Sequence, residues 1–282
     1  MKVLAKTLRV TPKALTSCPL LLGKLIILAH DQPTILSMSS DDLLGLVPII
    51  KTSLHQNIAM DESLALLQTF LSASSHQLPS EIVDPLATLI IPLASTHTHP
   101  PTRHIAFRIL GTLLSRAPPP VHLAHLLSLL TDCPFPQMRV AAVGLVKETF
   151  LTAIASTGNV PSLFKSAALI NTLGPTLFRP DPPDLLASLT GQSFRKFLTS
   201  SEPARLTECL AFYYVLIKRD TANFVRNIFR YSRTSFDTGN QTGIRDRDML
   251  RLVEISLLAP LRNALTMWLD DSSCAEGKVV IK

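Results

Sequence analysis

The chain has 282 residues, 46% of them hydrophobic and 17% charged, with a formal net charge of +6. That apolar content excludes a disordered tail, which cannot offset the entropy of ordering, and so modest a charge does not by itself call for nucleic acid. No run reaches the roughly 20 apolar residues that crossing a bilayer requires, because Lys24 and several prolines interrupt the longest candidates, so a membrane span is not expected.

With 21 prolines against 10 glycines in a leucine-rich background, the chain starts and stops helices often. Aromatics are scarce and alternating Val/Ile/Thr/Tyr segments almost absent, so the fold class is all-α. The first thirty residues carry Lys2, Lys6, Arg9, Lys13 and Lys24 with no acid before Asp31. They read as a first pair of helices, the other reading being a mitochondrial presequence. Helices are predicted near 13–29, 42–54, 61–74 with Asp61 as N-cap, and 80–94 with Ser80 as N-cap followed by Glu81.

An internal repeat comes next. HPPTRHIAFRILGTLL from position 99 matches PFPQMRVAAVGLVKETF from position 134, pairing Pro100 with Pro136, Arg103 with Arg139, Ala106 with Ala142, Phe107 with Val143 and Leu110 with Val146, each 36 residues apart. Proline suits a first helical turn, where its missing N–H costs nothing. The arginine and the small residue that follow recur in both copies, and the small residue lets a neighbouring helix come close. Between the copies PPPVHLAHLLSLLTD forms a second helix, opened by Pro118 to Pro120 and closed before Pro134. A helix pair of this length has the size of an armadillo or HEAT unit.

Helix faces agree with stacking. From Thr102 to Arg116, the residues His104, Arg108, Thr112 and Ser115 share one polar stripe, while Ala106, Ile109, Leu110, Leu113 and Leu114 fill the opposite side. The helix after Pro136 is apolar nearly all round, as an inner helix buried between neighbours should be. Downstream, helices are predicted near 161–173, 184–198, 203–218, 220–231 and 247–270, with a joint at FRPDPPD (178–184) and a mobile loop at 232–246. The expected architecture is a right-handed α-α solenoid of HEAT/armadillo-like helix pairs through residues 1–282, best defined over 97–155.

CPFPQMRVAAVGLVKE, preceded by HPPTRHIAFRILGTLL and a leucine-rich helix, resembles the core of the glomulin / YAP-binding / plant ALF4 family over about residues 97–155. The resemblance implies a non-enzymatic helical-repeat protein that acts by binding, and a longer protein of which this chain is a part. Glomulin-like members hold the RING subunit of cullin-RING ubiquitin ligases through their C-terminal repeats and block the E2-docking surface. Fungal YAP-binding members associate with an AP-1-like oxidative-stress transcription factor and favour its oxidation by a thiol peroxidase. The expected partner is therefore one of these two proteins, and no site residue transfers from the resemblance.

Chemistry finds little footing. No G-x-S-x-G elbow or glycine-rich phosphate loop occurs, so no catalytic residue and no cofactor are assigned. Five of the eight histidines cluster as His97, His99, His104, His122 and His125, with an H-x-H at 97–99 and an H-x-x-H at 122–125. Converging loops would let them ligate a metal, but solvated helix-face histidines are the preferred reading, and no metal is expected. The four cysteines, at 18, 133, 209 and 274, have no paired spacing, so a reducing compartment is the default, cytoplasmic with or without the nucleus. Cys133 lies just before a helix start and near Arg139, which would suit a redox thiol. A buried structural thiol is the preferred reading for Cys133, Cys18 and Cys209, whereas Cys274 reads as exposed.

One region is chemically asymmetric. KRDTANFVRNIFRYSRTSF from Lys218 interleaves Arg219, Arg226, Arg230 and Arg233 with Phe224, Phe229 and Tyr231. Arginine among aromatics is the composition of interface hot spots and of surfaces that grip phosphate and stacked bases. Arg219, Phe224, Arg226, Arg230, Arg233 and the single tryptophan, Trp268, are the candidate partner-binding residues. Trp268 has a second reading, as the cap of the last helix pair. A solvated outer face and a nucleic-acid surface spanning 218–251 are the other readings of the region.

Overall fold

The structure, a computed structural model, describes residues 22–73, 76–156, 162–186, 190–219, 251 and 253–270. Among these residues every regular element is helical. In chain order the α-helices are α1 (Leu22–Ala29), α2 (Gln32–Leu36), α3 (Ser40–Gln56), α4 (Met60–Ala73), α5 (Ser80–Thr96), α6 (Pro100–Ser115), α7 (Pro119–Thr131), α8 (Pro136–Ala155), α9 (Ala167–Leu177), α10 (Gly191–Thr199), α11 (Glu202–Arg219) and α12 (Ala259–Asp270). A short 3₁₀ turn, Leu163–Lys165, precedes α9, and a π turn, Glu254–Leu258, precedes α12. The chain divides into two compact units, Met1–His125 and Leu126–Lys282. The boundary falls inside α7.

In the first unit α3 packs on α4 and α5, α4 on α6, and α5 against α6 along much of its length. Helix α1 packs on α2, α3 and α4, and α2 packs on α4. His125 of α7 donates or accepts a 2.8 Å hydrogen bond with Asp84 of α5. The core holds Leu43, Leu46, Ile50, Leu64, Leu67, Phe70, Ile82, Leu86, Ile90, Ile109, Leu110 and Leu113. In α6 the buried face is Thr102, Ala106, Ile109, Leu110, Leu113 and Leu114, the apolar face expected, with Thr102 added.

Several starts differ from expectation for local reasons. Helix α3 begins at Ser40 because Ser39 and Asp42 form a reciprocal capping box, Ser39 Oγ accepting from the Asp42 amide and Asp42 Oδ2 accepting from the Ser39 amide. Asp61 is a first-turn residue of α4, and Pro79, not Ser80, is the N-cap of α5. The Ser80 hydroxyl points to Glu81 Oε2 instead of the backbone. Between α3 and α4 the chain turns through Asn57 and Ala59, both at positive φ. Two fully buried serines tie this turn down: Ser53 Oγ lies within donating distance of the Ile58 and Ala59 carbonyl oxygens, at 2.6 and 3.0 Å, and 2.7 Å from Ser63 Oγ, which itself donates to Ala59 O at 3.0 Å.

Prolines start the repeated helices. Pro100 and Pro136 sit in the first turns of α6 and α8, without a side-chain cap in either. The repeat extends to the backbone: the Arg103 amide donates to His99 O and the Arg139 amide to Phe135 O, at 3.2 and 3.1 Å. Ala106 and Ala142 are both fully buried, as close helix approach requires. The two arginine side chains diverge. Arg103 Nη1 donates to the His97 and Thr98 carbonyls just past α5, whereas Arg139 Nη1 pairs with Asp181 Oδ2.

In the second unit α8 packs along α11, and α10 also meets α11. Phe150, Phe178 and Phe212 form the aromatic centre: the Phe150 ring stands edge-on to Phe212 and Phe178 lies parallel to it. The predicted helix at 161–173 is the 3₁₀ turn plus α9, which Ser166 caps by accepting from the Ala168 amide. The predicted helix at 184–198 begins only at Gly191, where Thr190 and Ser193 form a capping box. Upstream of it, consecutive prolines at 182 and 183 remove two amide donors and favour the turns seen at 183–186. Pro260 accounts for the π turn: it lacks the N–H that Ser256 O would accept, and the Ala259 amide reaches back to Glu254 O instead. The predicted segments 13–21 and 220–231 and the loop at 232–246 lie outside the described residues.

Candidate functional site

Helix α11 carries the described start of the basic-aromatic region. Glu202, Arg205, Leu206, Cys209, Phe212 and Leu216 are its buried residues, a stripe at helical spacing. Phe212 inserts between Phe150 and Phe178, and the half-buried Tyr213 meets the Phe178 ring edge-on at 5.7 Å. On the outer side Lys147 of α8 bridges to Glu208 at 3.0 Å. These contacts fix the rotation of α11.

The first turn of α11 is locked by charge. Glu202 and Arg205, each 4% exposed, form a two-pronged ion pair, Nε to Oε2 at 2.7 Å and Nη2 to Oε1 at 2.6 Å. The same guanidinium donates to the carbonyls of Arg179 and Thr176, and Glu202 Oε1 accepts from the Asp181 amide at 3.0 Å. Asp181 in turn pairs with Arg139. The joint at 178–184 is thereby fastened to both α8 and α11. Burial opposes the charge on Arg205, yet its hydrogen bonds to Glu202 and the acidic groups around it outweigh that and raise the pKa.

With α11 so oriented, its last turns present Tyr214, Ile217, Lys218 and Arg219 outward. Tyr214 is 62% exposed and Ile217 37% exposed. Spacings of three and four residues place Tyr214, Ile217 and Lys218 on one side, and Lys218 Nζ lies 5.8 Å from the Tyr214 ring centroid, a cation–π distance. An exposed tyrosine, a branched aliphatic chain and two cations make a surface suited to a protein contact. Of the residues singled out from sequence, Arg219 is exposed at the same end of α11, one position past Lys218 and turned off the Tyr214 face. Phe224, Arg226, Arg230 and Arg233 lie outside the described residues.

Trp268 does not join that surface. It is 1% exposed and packs against Phe194 and Phe197 of α10, at ring-centroid distances of 5.1 and 5.4 Å. Burial of a large ring within the unit is its role here, so it offers no face to a partner. Its Nε1–H is buried without an acceptor among the described residues. Tyr214 and Ile217 were missed in the sequence, where AFYYVLIKR reads as a continuous apolar run. The signal was present as spacing, but only packing shows which of Tyr213 and Tyr214 turns outward.

The histidines separate instead of converging. His99 precedes α6 and hydrogen-bonds Thr102, His97 accepts from the His99 amide, His104 is exposed, and His125 pairs with Asp84. His122 departs from the solvated reading: it is 5% exposed, and burial together with neighbouring His125 lowers its pKa to about 4. Among the described residues no three His, Cys, Asp or Glu side chains are placed to hold a metal. Cys133 and Cys209 are buried free thiols. Burial pushes the Cys209 thiol up to about 12 despite Arg205, so it stays protonated. No described helix is long and apolar enough to cross a membrane.

A model of the family described as "Uncharacterised protein family, YAP/Alf4/glomulin" matches residues 21–269, most of the chain. The chain belongs to this YAP/Alf4/glomulin family. No curated protein and no solved structure matches. The family match extends well beyond the 97–155 stretch that carried the resemblance, taking in α1 to α11 and nearly all of α12. For a YAP/Alf4/glomulin chain the exposed end of α11 therefore lies inside the family's own span.

Proposed function

We propose that this YAP/Alf4/glomulin-family chain is a non-enzymatic α-solenoid of HEAT-like helix pairs that regulates a protein partner by holding or occluding it, in the cytoplasm or nucleus. The partner is the RING subunit of a cullin-RING ubiquitin ligase or an AP-1-like oxidative-stress transcription factor. The family match over residues 21–269 is the observation that carries this reading. The solenoid part is supported by the first unit, where α3 meets α5 and α4 meets α6 as stacked pairs would. The contact surface is assigned to the exposed end of α11, where Tyr214, Ile217, Lys218 and Arg219 combine aromatic, aliphatic and cationic groups.

The test is direct binding of the purified chain to a purified RING subunit and to a purified stress transcription factor, followed by crosslinking and mass spectrometry. Capture of one of them with crosslinks to Lys218 supports the proposal. Failure of a well-folded chain to bind either, or binding only to RNA with an affinity that collapses as salt rises, overturns it.

A further inference from the structure

A second surface lies in the first unit, away from any residue used above. Helices α3 and α5 run side by side, and a groove of about 470 Å³ opens between them. Its apolar lining comes from Leu54 on α3 and Leu89 and Leu93 on α5. That volume receives a few apolar side chains and not a whole element.

The walls differ in chemistry. On the α3 side stands the exposed cation Lys51, with the exposed His55 ring beside it. On the α5 side stands Asp84, 58% exposed, with Oδ1 engaged by His125 and Oδ2 without a partner among the described residues. Pro85 and Pro92 line the same wall, seven residues or about two turns apart. Having no N–H, they deprive the carbonyls of Glu81 and Thr88 of the usual intrahelical donor. The Thr88 hydroxyl does not repair this, because it donates to Asp84 O at 2.8 Å. One wall thus offers the Lys51 cation, and the other the Asp84 carboxylate, one of whose oxygens His125 engages.

We propose that this groove docks one helix of a partner protein, whose apolar stripe is flanked by a carboxylate on one side and by an ammonium or guanidinium on the other. Apolar side chains at i, i+3 and i+7 enter over Leu54, Leu89 and Leu93. The acid faces Lys51 and His55, and the base faces Asp84 and the Thr88 carbonyl. A helix is selected over an extended segment because a helix satisfies its own backbone, whereas an extended peptide needs donors and acceptors in alternation, and neither wall alternates. The matched charges on both walls set the orientation of the guest.

The probe is a displayed library of 14-residue helices with the leucine stripe fixed and the flanking positions drawn from Glu, Arg and Gln, selected on the full chain. Expected winners carry Glu on one flank and Arg on the other. Their affinity falls about tenfold on Lys51→Glu, as a charge at a contact rim allows, and returns when the facing Glu is changed to Arg. Leu89→Gln weakens them further, with circular dichroism verifying the fold of both variants. The proposal is overturned if no helix is enriched, if winners carry one charge sign on both flanks, or if binding survives both substitutions. Sedimentation that shows the groove buried by a second copy of this chain overturns it as well.

Discussion

Glu202 and Arg205 face each other one turn apart at the start of α11, both buried, and between them they satisfy the carbonyls of Thr176 and Arg179 and the amide of Asp181. A buried ion pair is weak evidence for stability in itself, since desolvation offsets much of the attraction. Its value here is positional. Five polar groups from three segments are satisfied only when α11, the end of α9 and the joint at 178–184 are in register.

Arg205→Met should therefore cost about 3–5 kcal/mol, because it strands the Glu202 carboxylate in the core. The double change Glu202→Leu with Arg205→Met should recover part of that loss, since no charge is stranded while the Thr176 and Arg179 carbonyls and the Asp181 amide stay unpaired. Urea denaturation followed by circular dichroism measures both. A single variant with an unchanged midpoint would show that the pair contributes nothing to the unit.

The α3–α4 turn supplies a paired prediction. Ser53→Ala takes the side-chain donor from the Ile58 carbonyl, while the Ala59 carbonyl keeps the amide and hydroxyl of Ser63, at a cost of about 1 kcal/mol. Ala59→Gly should act in the opposite sense. A left-handed alanine is strained by roughly 1–2 kcal/mol, its φ being 54°, and the extra freedom glycine gives the unfolded chain returns only part of that. Thermal melting of the two variants should move in opposite directions.

His122 makes stability depend on pH. Its pKa falls from 6.5 unfolded to about 4 folded, so between these values the unfolded chain holds a proton that the folded chain refuses. Stability is full above pH 6.5, declines as pH drops through the window, and has lost on the order of 3 kcal/mol from this group once pH is below 4. His122→Gln removes the titration. The difference in unfolding free energy between the two proteins, measured from pH 4 to 8, should change across the window and become flat above it.

Tyr214 and Trp268 should separate cleanly by readout. Tyr214→Ala with Ile217→Ala alters exposed side chains, so stability should move by no more than about 0.5 kcal/mol per site, while affinity for the protein partner drops tenfold or more, as for a hot spot. Trp268→Ala empties a buried site beside Phe194 and Phe197 and should cost about 3–5 kcal/mol. A Tyr214 variant that binds normally removes the end of α11 from the interface.

What could be read beforehand was local. Proline at a first turn and the polar stripe of α6 depend on residues a turn or two apart, and the structure reproduces both, while the sequence repeat at an offset of 36 corresponds to two helix starts, at Pro100 and Pro136. Ser39 with Asp42 and Thr190 with Ser193 were equally local, and their capping boxes moved two helix starts from the positions that hydrophobic periodicity had suggested. The exposed end of α11 was half legible: Arg219 stood out by charge, but Tyr214 sat unmarked beside Tyr213.

Arg103 and Arg139 show where sequence stops. They occupy equivalent positions in the repeat, each with its amide bonded to the residue four before, and the sequence alone determined that much, because a helix start is settled by its nearest neighbours. Only tertiary structure decided that one guanidinium turns back to the His97 carbonyl while the other reaches Asp181, 42 residues on. The same holds for the burial of Trp268, Glu202 and Arg205. Which charge is paired and which ring is covered depends on what distant chain is brought alongside, and that is a property of packing, not of spacing.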